Sequence, residues 1–206
     1  MRNVLIAALL LVFAGVAGPA AAQAQIEWVA PDDGPLPLSW TVVDGVIEHQ
    51  PGGGDIRSAA QYGDFTLDFE WRISPGGNSG VFYRAGAGSA LNGPEYQILD
   101  NGGHADGKSP LTSAASAYAV VAPASDVTKP VGEWNSARIV VEGLHVEHWL
   151  NGVEVLSYQL GSTAWQAAVA ASKFVGSAYG QAAEGYIVLQ DHGDAVAYRN
   201  FSIMTP

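Results

Sequence analysis

The 206-residue sequence contains no cysteine and few basic residues. Without cysteine, the chain cannot form a disulfide framework or carry a lipid on an N-terminal Cys. Its 9 Lys and Arg residues are outnumbered by 20 Asp and Glu residues, which gives a formal net charge of -11. Nucleic acid and anionic membrane surfaces select clustered basic residues, so this balance argues against both as partners. The charge balance does not argue against neutral ligands.

The sequence also lacks several motifs that identify enzyme classes. It contains no Gly-x-Ser-x-Gly motif, P-loop, dinucleotide-binding fingerprint or zinc-protease helix. A chain of this length, with 48% hydrophobic residues, can bury one sizeable core but not two. We therefore expect one domain that is stabilised by its packed core.

The N-terminal segment has the layout of a secretory signal peptide. One basic residue precedes an apolar run over residues 4–16, and a small-residue motif that ends at Ala22 follows it. The run is too short for a membrane span. We predict a signal peptide over residues 1–22, with cleavage after Ala24 as the alternative, and a mature domain over residues 26–206. The protein is then exported to the periplasm or secreted, with no membrane span in the mature chain.

The remaining sequence predicts an all-β fold. In the stretch DFTLDFEWRI, residues 64–73, apolar and polar residues alternate as in a strand with one buried face. Asp-Gly at 44–45 and Asn-Gly at 151–152 suit two-residue hairpin turns. Many short strands with such turns predict a two-sheet jelly-roll sandwich. The one convincing helical pattern is TAWQAAVAASKF, residues 163–174.

The stretch GPEYQILDN, residues 93–101, places three polar side chains in an apolar strand pattern. Glu95 and Gln97 point to one face, whereas Asp100 points to the opposite face unless a β-bulge intervenes. The spacing resembles the Glu-x-Asp-x-x-Glu pattern of jelly-roll endoglucanases, in which a retaining mechanism needs carboxyl groups about 5 to 5.5 Å apart. Two interpretations are open: Glu95 and Asp100 form a glycosidase pair, or Asp100 belongs only to the turn that ends the strand.

Other candidate residues lie on predicted strands or at their ends. The guanidinium of Arg84 can bind hydroxyls or carboxylates, and an ion pair with Glu70 is the structural alternative. His148 shares a strand face with apolar residues, which is more typical of a structural histidine than of a catalyst. Gln190 and His192 lie at a strand end, where side chains of adjacent strands often converge.

The polar stretch DNGGHADGK, residues 100–108, contains a possible metal site. Asp100, His104 and Asp106 supply ligands that suit a divalent cation. No fourth ligand follows at a fixed spacing, so an ordinary polar loop is the alternative interpretation. The sequence indicates no certain cofactor beyond this possible divalent metal.

An ordered series of motifs resembles the 3-keto-disaccharide hydrolase domain family. The motifs are DFTLDFEWRI, GGNSGVFYRA, GPEYQILDN, KPVGEWNSARIVV, VEHWLNG, ASKF, GYIVLQDHGD and VAYRNFSI. The resemblance runs from about Trp40 to Ile203. It departs in TSAASAYAVVAP, where Ala115 and Ser116 stand in a loop in which similar proteins tend to have a glycine. It implies site residues at the polar positions of these motifs: Glu70, Arg84, Glu95, Gln97, His148, Lys173, Gln190 and His192.

The resemblance implies a concanavalin A-like jelly roll that acts on glucosides already oxidised at C3 by a separate sugar 3-dehydrogenase. A carbonyl at C3 acidifies the C2 proton, so a base can form an enolate that expels the anomeric substituent, and water then adds to the enone. Such a site needs a base near C2, an electrophile at the C3 oxygen and an acid near the leaving group. No oxocarbenium ion is required.

We assign these roles to residues as hypotheses. The base is His148 or Glu95, the electrophile is Arg84, Lys173 or a metal, and the acid is His192. Two other functions stay open: a non-catalytic carbohydrate-binding module and a retaining endoglucanase. The expected substrate-binding residues are Glu70, Arg84, Gln97 and Gln190, and we expect one concave cleft to contain Glu70, Arg84, Glu95 and Gln97.

Overall fold

A computed structural model describes residues 22–86 and 92–206. Within these ranges, thirteen strands form two antiparallel sheets. The strands are β1 (Ala22–Ala24), β2 (Trp28–Val29), β3 (Trp40–Val43), β4 (Val46–His49), β5 (Ile56–Ser58), β6 (Phe65–Ile73), β7 (Asn78–Ala85), β8 (Glu95–Leu99), β9 (Asn135–Glu142), β10 (His145–Leu150), β11 (Val153–Gln159), β12 (Tyr186–Leu189) and β13 (Val196–Thr205).

The larger sheet has eight strands in the order β11-β10-β9-β6-β13-β4-β3, with β1 paired to β13. The smaller sheet has five strands in the order β2-β5-β12-β7-β8. Strands that are neighbours in space are often distant in sequence, as in a jelly roll. The predicted all-β, two-sheet jelly-roll sandwich with one short helix is confirmed.

The core lies between the two sheets, and the alternation in β6 explains one side of it. Phe65, Leu67, Phe69, Trp71 and Ile73 are buried, while the residues between them are partly exposed. Full burial of an apolar side chain of this size stabilises the fold by about 1.5–3 kcal/mol. This face therefore fixes the larger sheet against the smaller one.

Two tight turns occur where the sequence predicted them. Asp44 and Gly45, between β3 and β4, have φ angles of 51° and 78°. Asn151 and Gly152, between β10 and β11, have φ angles of 51° and 81°. Both pairs have the positive φ angles that a type I′ hairpin turn requires.

The only α-helix in the described ranges is α1 (Thr163–Ala170), and two short 3₁₀ helices cover Ala105–Lys108 and Pro110–Thr112. The helix ends four residues before the predicted end, so Lys173 lies beyond its C-terminus and not in its last turn. Most of the predicted signal peptide, residues 1–21, lies outside the described residues. Within the described part of the chain, no helix is long and apolar enough to cross a membrane.

Candidate functional site

The candidate site lies on the outer face of the smaller sheet, where β7 and β8 run side by side. The two strands pair in an unbroken register along the whole of β8. Tyr96 packs into the core, with its ring 5.7 Å from that of Phe69 in the larger sheet. Because side chains alternate along a strand, Glu95 and Gln97 point to the opposite face, as the sequence pattern predicts.

The carboxyl group of Glu95 lies directly over Gly80 of the neighbouring strand. A Cβ at residue 80 would come within 2.1 Å of Glu95 Oε1, so only glycine leaves room for the carboxyl group. Glu95 is only 4% exposed. Burial raises the pKa of Glu95 to about 8, because the charged form loses its contact with water.

Three charged residues also act on the Glu95 carboxyl group. Lys173 lowers the pKa of Glu95, and this effect is smaller than that of burial. Asp55 and Asp106 raise it, because a second negative charge disfavours ionisation. The result is a carboxyl group with a pKa of about 8, close to the pH range in which general acids and bases work well.

The carboxamide of Gln97 links Glu95 to Asn78. One end of the amide lies 3.0 Å from Glu95 Oε1 and 3.2 Å from the Ser79 backbone oxygen. The other end lies 3.2 Å from Asn78 Oδ1. When Glu95 is ionised, the NH₂ group of Gln97 can donate to both oxygens. When Glu95 is protonated, its hydroxyl can donate to the amide oxygen instead, so Gln97 can stabilise either protonation state.

Loops beside β7 and β8 supply the other groups of the site, including one cation. Lys173 Nζ lies 4.2 Å from the centroid of the Tyr118 ring. The Tyr118 hydroxyl donates to Asp106 Oδ2 over 2.9 Å, and its backbone N–H donates to the Glu95 carbonyl over 3.1 Å. Burial and the bond to Asp106 raise the pKa of Tyr118, so its hydroxyl stays protonated. These contacts hold a positive charge near a buried carboxyl group.

On the opposite side of β7, Gln190 follows the end of β12. Its backbone N–H donates to the Gly80 carbonyl over 3.0 Å. Its side-chain Oε1 is buried and has no hydrogen-bond partner among the described residues. A buried acceptor without a partner costs about 1–3 kcal/mol, so Gln190 is a candidate for binding a ligand. His192 lies two residues further along, with its ring 6.1 Å from that of His104.

The structure places Arg84 elsewhere and corrects its predicted role. Strand β7 contains a bulge at this point, because Tyr186 pairs with Ala85 whereas Val188 pairs with Phe82. Arg84 itself has a φ angle of 48°. Its guanidinium donates to the backbone oxygens of Gly63 and Gly143, at 3.0 and 2.9 Å, and to Asp64 Oδ1 at 3.0 Å. All these bonds are internal, so Arg84 joins two turns and leaves the outer face of β7.

Glu70 is also separated from the candidate site. It lies on the outer face of the larger sheet, where Arg199 Nε donates to Glu70 Oε2 over 2.7 Å. The predicted alternative partner, Arg84, binds Asp64 instead. The expectation of one cleft shared by four residues is therefore wrong. The sandwich directs Glu70 away from the smaller sheet, and the bulge turns Arg84 away from it, which leaves Glu95 and Gln97 together.

His148 lies in the core, so the structure does not bring the two candidate bases together. It is fully buried, with Nδ1 2.9 Å from the Ala115 carbonyl and Nε2 2.9 Å from the Tyr83 hydroxyl. If Nδ1 carries the proton, it donates to Ala115 and Nε2 accepts from Tyr83. Burial lowers the pKa of His148 to about 4, so the ring is neutral at pH 7. The structural interpretation of His148 fits this environment.

The structure does not align Asp100 with Glu95 as a glycosidase pair. The β7–β8 register has no bulge, and β8 ends at Leu99. Asp100 lies five residues beyond Glu95, after the strand has ended, and without a bulge its side chain does not share the face of Glu95. The Asp100 carboxylate instead accepts from the backbone N–H groups of Gly76, Gly102 and Gly103. These bonds agree with the turn interpretation, and they occupy the carboxylate that a glycosidase pair with Glu95 would need.

The three predicted metal ligands have other partners in the structure. Asp100 binds backbone N–H groups through both oxygens. His104 Nδ1 accepts from the Asp106 N–H over 3.1 Å, which caps a 3₁₀ helix. Asp106 accepts from Tyr118. Across residues 22–86 and 92–206, no group of three His, Cys, Asp or Glu residues is arranged to hold a metal ion.

Three residues of the site were missed by sequence reasoning. Tyr118 binds the Glu95 backbone, and Asp55 acts on the Glu95 carboxyl group electrostatically. Both lie in loops that are distant in sequence, and no local pattern marks them. Gly80 does not itself carry a functional group. Its signal was present, because a glycine inside a predicted strand indicates close approach of another group.

The two-sheet antiparallel sandwich makes this a jelly-roll protein. Its candidate site is a buried carboxyl group on the outer face of the smaller sheet. Residues 22–204 match the family described as the 3-keto-alpha-glucoside-1,2-lyase-like domain, and the chain belongs to this family. The resemblance identified in the sequence motifs is thus confirmed.

Similar proteins support this assignment. A 3-keto-disaccharide hydrolase from Bacteroides thetaiotaomicron is 36% identical over 204 residues, covering 82% of this chain and 70% of that protein. A crystal structure from Parabacteroides distasonis, provisionally described as a glycosyl hydrolase, is 32% identical with a TM-score of 0.79, covering 86% and 87% of the two chains. The carbohydrate-binding module CBM66 from Bacillus subtilis is 17% identical with a TM-score of 0.55, covering 86% and 95%, and shares the fold alone.

Proposed function

We propose that the protein is a carbohydrate-active enzyme that cleaves the glycosidic bond of 3-keto-glucosides, including 3-keto-disaccharides. The reaction removes the C2 proton, eliminates the anomeric substituent and adds water to the enone. The observation that carries this proposal is Glu95, a buried carboxyl group with a pKa of about 8 in a chain of this family. The name of the similar Bacteroides protein supports the substrate class.

Glu95 acts as the base in this proposal. A carboxylate whose conjugate acid has a pKa of about 8 is a stronger base than an exposed carboxylate. A proton on C2 beside a carbonyl group is weakly acidic, so this extra basicity favours its removal. Gln97 supports both states of the reaction, because its carboxamide can face either an ionised or a protonated Glu95.

Lys173 stabilises the enolate that forms when the proton leaves. The negative charge of an enolate is concentrated on its oxygen, here the former C3 carbonyl oxygen, and a fixed cation nearby stabilises it. Arg84 does not take this role, because its guanidinium is bound to two turns. Lys173 is held over the Tyr118 ring and acts electrostatically on Glu95.

Gln190 and His192 bind the sugar and assist the leaving group. The unpartnered Oε1 of Gln190 accepts a hydrogen bond from a sugar hydroxyl, which removes the cost of its burial. His192 donates a proton to the departing anomeric oxygen. Water then adds to the enone and restores the saturated 3-keto sugar.

The substrate must come from a separate sugar 3-dehydrogenase, because a C3 ketone is the product of oxidation. We propose that the enzyme meets this substrate after export to the periplasm or outside the cell. Expression of the full chain in a bacterial host followed by N-terminal sequencing tests the export step. A mature N-terminus at Gln23 or Gln25 supports it, and an intact N-terminus in the cytoplasm contradicts it.

The test of the activity is incubation of the purified protein with a 3-keto-glucoside and with its unoxidised parent. We expect cleavage of the oxidised compound alone, and no cleavage of either by Glu95→Gln, which keeps the size of the side chain but cannot act as a base. Cleavage of the parent would indicate direct glycoside hydrolysis. Binding of either compound without cleavage would indicate a carbohydrate-binding module.

A further inference from the structure

A hydrogen-bonded chain of buried residues crosses the core beneath the site. His148, on β10 of the larger sheet, contacts the hydroxyl of Tyr83, on β7 of the smaller sheet, over 2.9 Å. The same hydroxyl forms a short hydrogen bond with the hydroxyl of Tyr158 on β11. The other nitrogen of His148 contacts the Ala115 carbonyl over 2.9 Å. The chain therefore joins both sheets to the loop that contains Ala115.

That loop borders β8 and holds the backbone of the site. The Ala115 N–H donates to the Gln97 carbonyl over 2.8 Å, and the Tyr118 N–H donates to the Glu95 carbonyl over 3.1 Å. Ala115 has a φ angle of 64°, a left-handed conformation that costs a residue with a Cβ about 1–2 kcal/mol. A glycine at this position would adopt it without that cost. The bond from His148 helps to hold the strained residue in place.

A stack of four aromatic rings continues the chain from Tyr158. The Tyr158 and Trp165 rings lie 4.7 Å apart at an angle of 8°, and the Trp165 and Tyr179 rings lie 5.7 Å apart at 11°. The rings of Tyr179 and Phe174 lie 3.9 Å apart at 8°. Each such pair contributes about 0.5–1.5 kcal/mol beyond its burial. The stack thus fixes α1 and the segment after it against the core.

The far end of the stack, at Tyr179 and Phe174, lies beside Lys173 and the Glu95 backbone. Phe174 follows Lys173 in the chain, and Lys173 Nζ lies 5.2 Å from the Phe174 ring centroid and 4.2 Å from that of Tyr118. The Tyr179 hydroxyl lies close to the Glu95 backbone. Lys173 therefore has two supports: the ring stack acts through Phe174, and the loop bound by His148 acts through Tyr118.

We infer that His148, Tyr158 and Trp165 are positioning residues, which together hold the Lys173 ammonium group at a fixed place beside the Glu95 carboxyl group. None of the three is proposed to touch substrate. This inference rests on the proposed function only where catalytic activity is measured. The position of Lys173 relative to Glu95 can be measured without substrate.

The pKa of Glu95 reports the position of Lys173. Lys173 favours the ionised carboxylate, so its movement away from Glu95 raises the pKa of Glu95. The groups that act electrostatically on Glu95, or on which Glu95 acts, are Lys173, Asp55, Asp106, Tyr118, Tyr179 and Tyr198. Lys173 is the one cation among them.

The experiment is a carbon NMR titration of the Glu95 carboxyl group in the full chain, labelled at glutamate and assigned with Glu95→Gln. We expect Trp165→Leu and Tyr158→Phe to raise the pKa of Glu95 by about 0.5 to 1 unit, the size expected when one nearby charge is displaced. The matched control is Phe201→Leu, which removes a ring stacked 5.4 Å from Phe69. Phe201 belongs neither to the hydrogen-bonded chain of His148, Tyr83 and Tyr158 nor to the stack of four rings. This control should leave the pKa unchanged.

A double substitution separates positioning from general destabilisation. In a Lys173→Gln background the charge is absent, so Trp165→Leu should no longer shift the pKa of Glu95. An equal shift in both backgrounds overturns the inference, and so does a shift in Phe201→Leu as large as that in Trp165→Leu. Tyr158→Phe, which deletes a single hydroxyl, provides the same comparison if Trp165→Leu fails to fold.

Kinetics with a 3-keto-glucoside distinguish this inference from the proposed function. We expect Trp165→Leu to lower kcat about tenfold with little change in KM, and to move the rise of kcat with pH to higher pH. No cleavage by the wild type, together with the expected NMR shifts, contradicts the proposed function and supports the positioning. Normal cleavage by Trp165→Leu with an unshifted pH profile contradicts the positioning and leaves the function standing.

Discussion

The carboxyl group of Glu95 lies over Gly80, where an added Cβ would come within 2.1 Å of Glu95 Oε1. The position of the Glu95 carboxyl group, whose pKa is raised to about 8, therefore depends on a neighbouring residue that has no side chain. It also explains how the carboxyl group can pack against the backbone of the neighbouring strand. The neighbouring strand leaves a gap at that position, and the gap determines where the carboxyl group points.

Gly80→Ala should therefore displace Glu95 and impair the enzyme. We expect kcat for a 3-keto-glucoside to fall about 100-fold, because a shift of about 1 Å in a catalytic group can have that effect. The control is Gly63→Ala, where the nearest atom to an added Cβ is the Ala183 carbonyl oxygen at 3.4 Å. Similar kinetics for the two variants would contradict the placement of Glu95.

Glu95→Gln should change how stability depends on pH. The pKa of Glu95 rises from 4.5 to about 8 on folding, so the folded state binds more protons than the unfolded state between these values. The stability of the wild type relative to Glu95→Gln is then highest at or below pH 4.5 and falls as pH rises to 8. Urea unfolding at pH 4.5 and pH 9 should show a relative loss of a few kcal/mol, since one pKa unit corresponds to about 1.4 kcal/mol. A difference independent of pH would show that Glu95 is not shifted.

Reaction in deuterated water should place deuterium at C2 of the released 3-keto sugar. If Glu95 removes the C2 proton, Glu95→Gln should abolish both exchange and cleavage, whereas His192→Gln should spare exchange more than cleavage. Mass spectrometry at early times, against a control without enzyme, checks the label. Cleavage by the wild type with C2 protium retained, and an unaffected Glu95→Gln, would indicate direct hydrolysis.

Arg84→Ala should mainly lower stability. Arg84 is 4% exposed, and its loss leaves two backbone oxygens in the turns at Gly63 and Gly143 without their donor. We expect the free energy of unfolding to fall by about 2–4 kcal/mol, as for other buried hydrogen-bonded groups. Arg138→Ala, which breaks the exposed ion pair with Asp68, should cost less than about 1 kcal/mol. Denaturant titration of both variants measures the difference.

Asp100→Asn tests whether the polar loop binds a metal ion. The carboxylate accepts three backbone N–H groups, so its neutralisation should lower the free energy of unfolding by about 1–3 kcal/mol. Elemental analysis should find the same metal content in the variant and the wild type. A bound divalent ion in the wild type that is lost in Asp100→Asn, with activity that returns on its addition, would restore the metal-site hypothesis.

The local patterns of the sequence predicted the elements of the fold. The alternation in β6 predicted a buried face, because a half-buried strand exposes every second residue to the core. The two dipeptides with positive φ angles predicted hairpins, because few other residues adopt those angles readily. The same alternation placed Glu95 and Gln97 on one face, and that part of the site needed no tertiary information.

The tertiary structure decided which polar residues meet. Arg84 was expected beside Glu95, but a bulge in β7 turned it away, and no residue in its own strand marks a bulge that depends on pairing with β12. His148 was expected as a possible base, but the packing of two sheets enclosed it. Lys173 and Tyr118 act on Glu95 only because the tertiary fold brings segments distant in sequence beside β8.

By itself, then, the sequence determined the family, the all-β class, the buried face of β6, the two hairpin turns and the shared face of Glu95 and Gln97, since these depend on residue order and on a period of two. Only the tertiary structure decided the proton affinity of Glu95, its cation and its supporting rings. Those properties depend on burial and on distances between segments far apart in the chain, and no local pattern contains either quantity.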